Sequence, residues 1–255
     1  MTDLPAEITI ARRFRGPLHS ANGGYVCGVI AAPLGAAATV TLRNPPPLDR
    51  PLRLVPRGEG AALMDGETLL GAGEAHADWL DAHPQDAAPA VSVEAARAAS
   101  ARSPYADGGH PLPECFVCGP DRAPQDGLRI LSGPFGAAAA ETAAIWTPHP
   151  AFGDAEGRVR AEFLWSALDC PSGHAISASD PELADTPILL GCLAARIEAR
   201  PPVGAPLVVT ARFVARDGRK LTAVSAVHDA EGRRLARARA LWITVPKAAL
   251  YAERP

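Results

Sequence analysis

Two groups of residues, far apart in the chain, have types suited to chemistry. Asn22-Gly23-Gly24 opens an apolar stretch, Tyr25 to Ala32, that reads as a buried helix. Backbone N–H groups at a helix start have no intrahelical acceptor and lie at the positive end of the helix dipole. Glycines there admit a close carbonyl oxygen, so the N–H groups of Gly24 and Tyr25 suit a developing oxyanion, with Asn22 capping the helix or orienting the carbonyl. The same three residues would also serve as an ordinary cap and turn. Asp169 stands near the end of a second apolar segment, among Leu164, Trp165 and Leu168, where a carboxylate is costly unless paired or used. It could act as a general base for water or as a nucleophile forming a mixed anhydride. Alternatively, it lies just beyond the helix and orders the turn Cys170-Pro171-Ser172-Gly173. His19, upstream of the glycine pair, either touches the same ligand or is a loop histidine.

The five cysteines, at 27, 115, 118, 170 and 192, are too few and too scattered for a disulfide framework, which points to a reducing cytoplasm. Cys115-x2-Cys118 and Cys170-x3-His174 together hold the residue types of a Cys3His zinc set, were the two segments to meet. A lone Cys-x-x-Cys is a weak signature, and no residue is assigned to a metal. Arg233, Arg237 and Arg239 share one face of a strand, which reads as a solvated sheet face rather than a phosphate cradle.

Elements must bring these residues together. The chain has 255 residues, 47% hydrophobic and 21% charged, with a net charge of -3. That composition argues against disorder and against a nucleic-acid partner, and the length favours two domains. No apolar run reaches membrane-spanning length, and Met1 to Arg15 lacks the pattern of a secretory signal, so no membrane partner is expected. After the glycine-opened helix come four short strands, 38–43, 52–57, 61–64 and 68–75, separated by Asn44-Pro45-Pro46-Pro47, Gly58-Glu59-Gly60 and Asp65-Gly66. Residues 81–112 read as a linker with a short helix over 92–101. A second unit then offers strands at 127–131 and 138–146, an apolar helical segment at 162–168, and strands at 190–199, 207–215, 222–228 and 235–245.

The units share sequence as well as order. Pro46-Pro47-Leu48 followed by Pro51-Leu52 returns as Pro201-Pro202-Val203 followed by Pro206-Leu207, and Gly66-Glu67-Thr68-Leu69 returns as Gly232-Arg233-Arg234-Leu235. Extra residues between these points in the second copy would lengthen a hairpin around Asp217-Gly218. Such matches are the mark of an internal duplication.

Three motifs resemble hotdog-fold thioesterases. Cys115-Phe116-Val117-Cys118-Gly119-Pro120, then Gly127-Leu128-Arg129-Ile130, is similar to the Cys-x-x-Cys-Gly-Pro, then Gly-Leu, opening of single-domain members, with Arg122-Ala123-Pro124-Gln125-Asp126 replacing the usual Asn-Pro. Asn22-Gly23-Gly24 resembles the His-Gly-Gly or Gly-Gly that opens the hotdog helix in phenylacetyl-CoA thioesterase-like and acyl-CoA thioesterase II-like proteins. In the former, an acid that acts in hydrolysis follows seven residues after the second glycine. Laid on Arg160 to Asp169, the pattern puts Asp169 on that acid and Ala161-Glu162 on the glycines. In the first copy the same count from Gly24 reaches Ala31. One copy keeps the glycines and the other keeps the acid. Homodimeric hotdog thioesterases build each site from the glycine of one subunit and the acid of the other, so a fused pair needs only one complete site.

The resemblance implies an α+β protein of two tandem hotdog domains, each a long central helix wrapped by an antiparallel sheet, forming a pseudodimer. The expected divisions are residues 1–80, the linker 81–112 and residues 113–255. It implies hydrolysis of an acyl-CoA or carrier-bound acyl thioester, with Asp169, Gly24 and Asn22 catalytic and Gly23, Tyr25, His19, Phe163, Trp165 and Cys192 lining the substrate. Cys192 falls near a supporting Ser or Thr of the family. No cofactor or metal is implied, acyl-CoA being the substrate; homo-oligomers of the double unit are allowed. The rivals are a non-catalytic acyl-binding protein and an enoyl-CoA hydratase, since Asp169-x4-His174 has the spacing of the hydratase pair but not its surrounding loop.

Overall fold

The structure, a computed structural model, describes residues 7–106, 108–136 and 140–251. In chain order it contains β1 (Ile8–Thr9), α1 (Gly23–Ala31), β2 (Ala37–Leu42), β3 (Pro51–Arg57), β4 (Gly60–Asp65), β5 (Thr68–Glu74), α2 (Asp78–Asp81) and α3 (Val93–Ala101). Then follow β6 (Gly133–Pro134), β7 (Glu141–Trp146), α4 (Ala161–Ser179), α5 (Pro181–Ala184), β8 (Ile188–Ile197), β9 (Leu207–Asp217), β10 (Lys220–His228) and β11 (Arg234–Thr244). Among the described residues, no helix is long and apolar enough to cross a membrane.

All strands join one antiparallel sheet in the order β1-β3-β4-β5-β2-β8-β11-β10-β9-β7-β6. Apart from β6, the order is the same chain topology read from either end. The strand that follows each helix, β2 or β8, stands at the centre, and β3-β4-β5 mirrors β9-β10-β11. The halves join through β2 and β8, from Ala37 opposite Arg196 to Thr41 opposite Cys192. The repeated motifs occupy matching places: the Pro-Leu pairs lead into β3 and β9, while Gly66 and Gly232, both at positive φ, turn into β5 and β11. The second copy's extra residues lengthen β9 to 11 residues against 7 in β3, and β10 to 9 against 6 in β4.

Three elements depart from the sequence reading. Residues 127–131 form no strand. Arg129 adopts φ 53, which breaks the extended run, and the Leu128 and Ile130 N–H groups instead bond to the carbonyls of Phe116 and Val117. The strand expected over 138–146 begins at Glu141, and Ala138 and Ala139 lie outside the described residues, as do the ends of the two expected domains at residues 1–6 and 252–255. The helix expected to stop near Leu168 runs 19 residues, to Ser179, through Pro171. Proline removes one N–H from a helical ladder. The carbonyl left without its helical donor is that of Ala167; in the next residues Ser225 Oγ donates to Leu168 O (2.6 Å) and Ser172 Oγ to Asp169 O (2.7 Å).

The two central helices cross on the inner face at backbone contact. A Cβ on Gly24 would lie 2.4 Å from Asp169 Cβ, and one on Gly28 would lie 2.6 Å from Glu162 Cα. Gly24 faces the middle of α4 and Gly28, one turn later, its start, so the helices run antiparallel.

The segment read as a linker covers the sheet's outer face. In β7, Ala144 and Trp146 point into the main core while Ala143 points away, and it meets Ala96 and Ala99 of α3 together with Val208. Leu80 of α2 packs likewise on Ala194. This corrects the expectation of a solvated face for Arg237 and Arg239, while Arg233 is exposed and precedes β11. Arg237 pairs with Asp81 (2.7 Å), Arg239 pairs with Asp86, and Arg239 is 7% exposed with its guanidinium 5.0 Å from the Trp79 ring.

Replacing Gly28 by Val should push the helices apart and cost about 1–3 kcal/mol of stability. Chemical denaturation measures this, and an unchanged midpoint would contradict a backbone-contact crossing.

Candidate active site

Asp169 sits in mid-helix, 2% exposed, opposite the first turn of α1. Its Oδ2 accepts from Gly24 N–H (2.9 Å) and from Asn22 Nδ2 (2.9 Å). The acid of the second half is thus bound by the glycine-opened helix of the first. Among the described residues its Oδ1 has no hydrogen-bond partner. Burial pushes the carboxyl up to about 7, opposed by the Gly24 N–H and reinforced by nearby Cys115. A carboxylate titrating near neutrality suits proton transfer.

The surroundings fix this geometry from both sides. Asn22, 3% exposed, accepts from Tyr25 N–H (2.9 Å) as the helix cap, and its own N–H donates to Phe14 O (2.8 Å). Trp242 Nε1 donates to Ser172 Oγ (2.8 Å), the same hydroxyl that bonds the Asp169 carbonyl. A strand of the sheet therefore anchors the turn of α4 that carries the acid.

The donors expected to face an oxyanion are occupied within the chain: Asp169 holds Gly24 N–H and Asn22 holds Tyr25 N–H. At a helix start the free N–H groups take the nearest acceptor, and here both acceptors are buried side chains. A cleft of about 1140 Å³ opens beside the pair, lined by Asn22, Gly23, Asp169 and Cys170. Its apolar wall is Ile188, Leu190 and Trp242, and exposed Arg43, Arg102 and Lys247 stand on its lining as well.

The residues expected as its walls lie elsewhere. Tyr25, Phe163 and Trp165 belong to the core, because the tight helix crossing turns them inward. Tyr25 stacks on Phe14 (4.1 Å between centroids), and Phe163 meets Phe152 (5.0 Å) and Phe116 (5.7 Å). His19 is half-buried in the turn before Asn22 and does not line the cleft. Cys192, on β8, takes a contact from Thr41 Oγ1 (3.7 Å) across the central strand pair, also away from the cleft lining. The wall that sequence reasoning missed, β8 and β11, carries only ordinary apolar strand residues, so no signal marked it.

His174 lies near the rings of Tyr105 (4.9 Å) and His110 (6.2 Å), one turn beyond Cys170. Burial, with His110 beside it, pushes its imidazole down to about 3. The two cysteine motifs do meet. The Sγ atoms of Cys115 and Cys170 are 3.7 Å apart, and with that of Cys118 they lie within 4.8 Å of one another. Hydrogen bonds from the Cys118 and Cys170 thiols, and from the N–H groups of Cys118 and Val117, hold the Cys115 thiol well below its ordinary value. His110 joins the group through Nε2, 3.1 Å from Cys118 Sγ. No sequence signal had singled out His110.

No protein-family model and no curated protein sequence matches the chain. Among solved structures it is similar to the tesB protein of Mycobacterium avium subsp. paratuberculosis, at 10% identity and TM-score 0.58. It is also similar to a candidate thioesterase II of Thermobifida fusca, at 17% and 0.56, and to a conserved protein of unknown function with a hot dog fold from Alicyclobacillus acidocaldarius, at 14% and 0.54. Each likeness covers 94% of this chain and 92% of the other. Likeness at such low identity is one of fold, and it extends through both halves: the chain is an α+β protein of two hotdog units in tandem.

Proposed function

We propose that the protein hydrolyses an acyl thioester, with Asp169 as the acid–base residue of one site between the halves. The observation that carries this reading is the binding of Asp169 Oδ2 by Gly24 N–H and Asn22 Nδ2, each at 2.9 Å. Those bonds fix the carboxylate and leave Oδ1 as its unpartnered oxygen among the described residues. The Asp169 carboxylate takes a proton from water as the water oxygen bonds to the thioester carbon; the carbon–sulfur bond then breaks and the proton passes to the departing thiolate. Gly23, the helix-opening residue on the cleft wall, offers its N–H to the carbonyl oxygen. The candidate thioesterase II among the similar structures is consistent with this chemistry.

Coenzyme A is the proposed carrier. The cleft, about 1140 Å³, has room for a pantetheine arm and an acyl group. Ile188, Leu190 and Trp242 would receive the acyl tail, and the exposed cations Arg43, Arg102 and Lys247 suit the phosphates of CoA.

One observation favours a second reading, a protein that binds acyl thioesters without turning them over: Gly24 and Tyr25 N–H are both engaged by the chain's own side chains. A turnover screen across acyl chain lengths separates the two. Thiol release supports hydrolysis, whereas thermal stabilisation by CoA esters without thiol release supports binding alone.

Asp169→Asn keeps the shape of the side chain and should lower kcat/KM for thioester hydrolysis by about 10²–10⁴-fold with an unchanged circular dichroism spectrum. A fully active variant would remove Asp169 from the mechanism. Arg43→Glu should raise KM for an acyl-CoA several-fold more than for the matching acyl-pantetheine, read by parallel steady-state assays. An equal effect on both substrates would place the phosphates away from Arg43.

A further inference from the structure

The cysteine cluster beside the site is built from two unrelated elements. Cys115 and Cys118 come from an irregular loop, where Gly119 N–H bonds Cys115 O (2.9 Å). A Cβ on Gly119 would lie 2.5 Å from that oxygen, so only glycine permits the tight turn. Cys170 and His174 come from α4, one turn apart and therefore on one face. All three cysteines are buried, none is in a disulfide, and His174 is 9% exposed. Among the described residues, His174 Nδ1 has no hydrogen-bond partner. A buried polar atom without a protein partner is one that water, a ligand or an ion would satisfy.

We propose that Cys115, Cys118, Cys170 and His174 bind one zinc ion that ties the loop to α4 next to the acyl-thioester site. Tetrahedral zinc with sulfur ligands at about 2.3 Å sets neighbouring sulfurs about 3.8 Å apart. Cys115 and Cys170 stand at 3.7 Å, and the three sulfurs lie within 4.8 Å of one another. A ring nitrogen of His174 lies within 4.8 Å of Cys118 Sγ and of His110. The three thiols ligate as thiolates and release their protons as the metal enters.

His174 is the fourth ligand because His110 has another task. Leu112 N–H donates to His110 Nδ1 (2.9 Å), which leaves the ring proton of the neutral imidazole on Nε2, 3.1 Å from Cys118 Sγ. His110 is therefore a donor to a ligating sulfur, the kind of outer contact that orients metal ligands. With four protein ligands the ion keeps no open position, so its role is structural, and the hydrolytic reading of Asp169 does not depend on it.

Metal analysis of the purified, reduced 255-residue chain tests this directly. One zinc per chain is expected in the wild type and in Cys192→Ser, and well under one in Cys118→Ser and in His174→Ala. Stripping the wild type with a chelator and adding cobalt(II) alone should produce thiolate-to-cobalt charge-transfer bands and the ligand-field bands of a tetrahedral ion, displaced by one equivalent of zinc. This titration needs no variant, so it decides the matter even where the substituted chains fail to fold. A reduced wild type that holds no stoichiometric zinc and gives no tetrahedral cobalt spectrum overturns the proposal. Full zinc content in Cys118→Ser overturns the ligand assignment, and a native Cys115–Cys170 disulfide in metal-free protein overturns the site.

Discussion

The structure depends on how closely α1 and α4 approach. Where Gly24 and Gly28 meet α4, a single added carbon would collide with its backbone or with Asp169 Cβ. That proximity is what lets a backbone N–H of one half reach a carboxylate of the other at 2.9 Å. Larger residues at the crossing would move the helices apart by more than a hydrogen bond can stretch. The same approach turns Tyr25, Phe163 and Trp165 into the core and away from any ligand.

Burying Asp169 is costly, and its two closest compensating donors come from the other half. Gly24 and Asn22 supply the two donors, and α4 is steadied by hydroxyls from Ser172 and Ser225. The matching position in the first half is Ala31, which is buried and apolar. Symmetry in the sheet is therefore not symmetry in chemistry. One half supplies the helix start and the other the acid, and the fused chain is the smallest unit that holds both.

Much of the fold was legible because strands and turns leave short-range signals. Short strand-like runs and the Gly and Pro turns between them marked both meanders to within a few residues, and the repeated Pro-Leu and Gly-x-x-Leu motifs landed at equivalent strand starts. Asn22, Gly24 and Asp169 were singled out by resemblance to a known pattern, and the fold brings the three within hydrogen-bond distance. The reading failed where long-range packing decides. Pro171 looks like a helix end, but it removes one hydrogen bond only, and the packing of α4 on α1 and the sheet carries the helix through it. Arg239 looks solvated until Asp86 and Trp79 cover it. The cleft wall on β8 and β11 could not be told from any other core strand, and Tyr25 and Phe163 were misplaced because sequence gives the helix but not its rotation.

The segment between the halves does more than join them. By laying α2 and α3 across the outside of the sheet and fastening them with Asp81 and Asp86 to Arg237 and Arg239, it occupies the flat surface on which another sheet could stack. The strand residues beneath it, Ala143, Ala194 and Val208, are thereby buried on the outer face too. The fastening is ionic and in part exposed, so its grip weakens as salt screens it, whereas the apolar contacts of Leu80, Ala96 and Ala99 persist. The connector is thus also part of the packed body of the molecule.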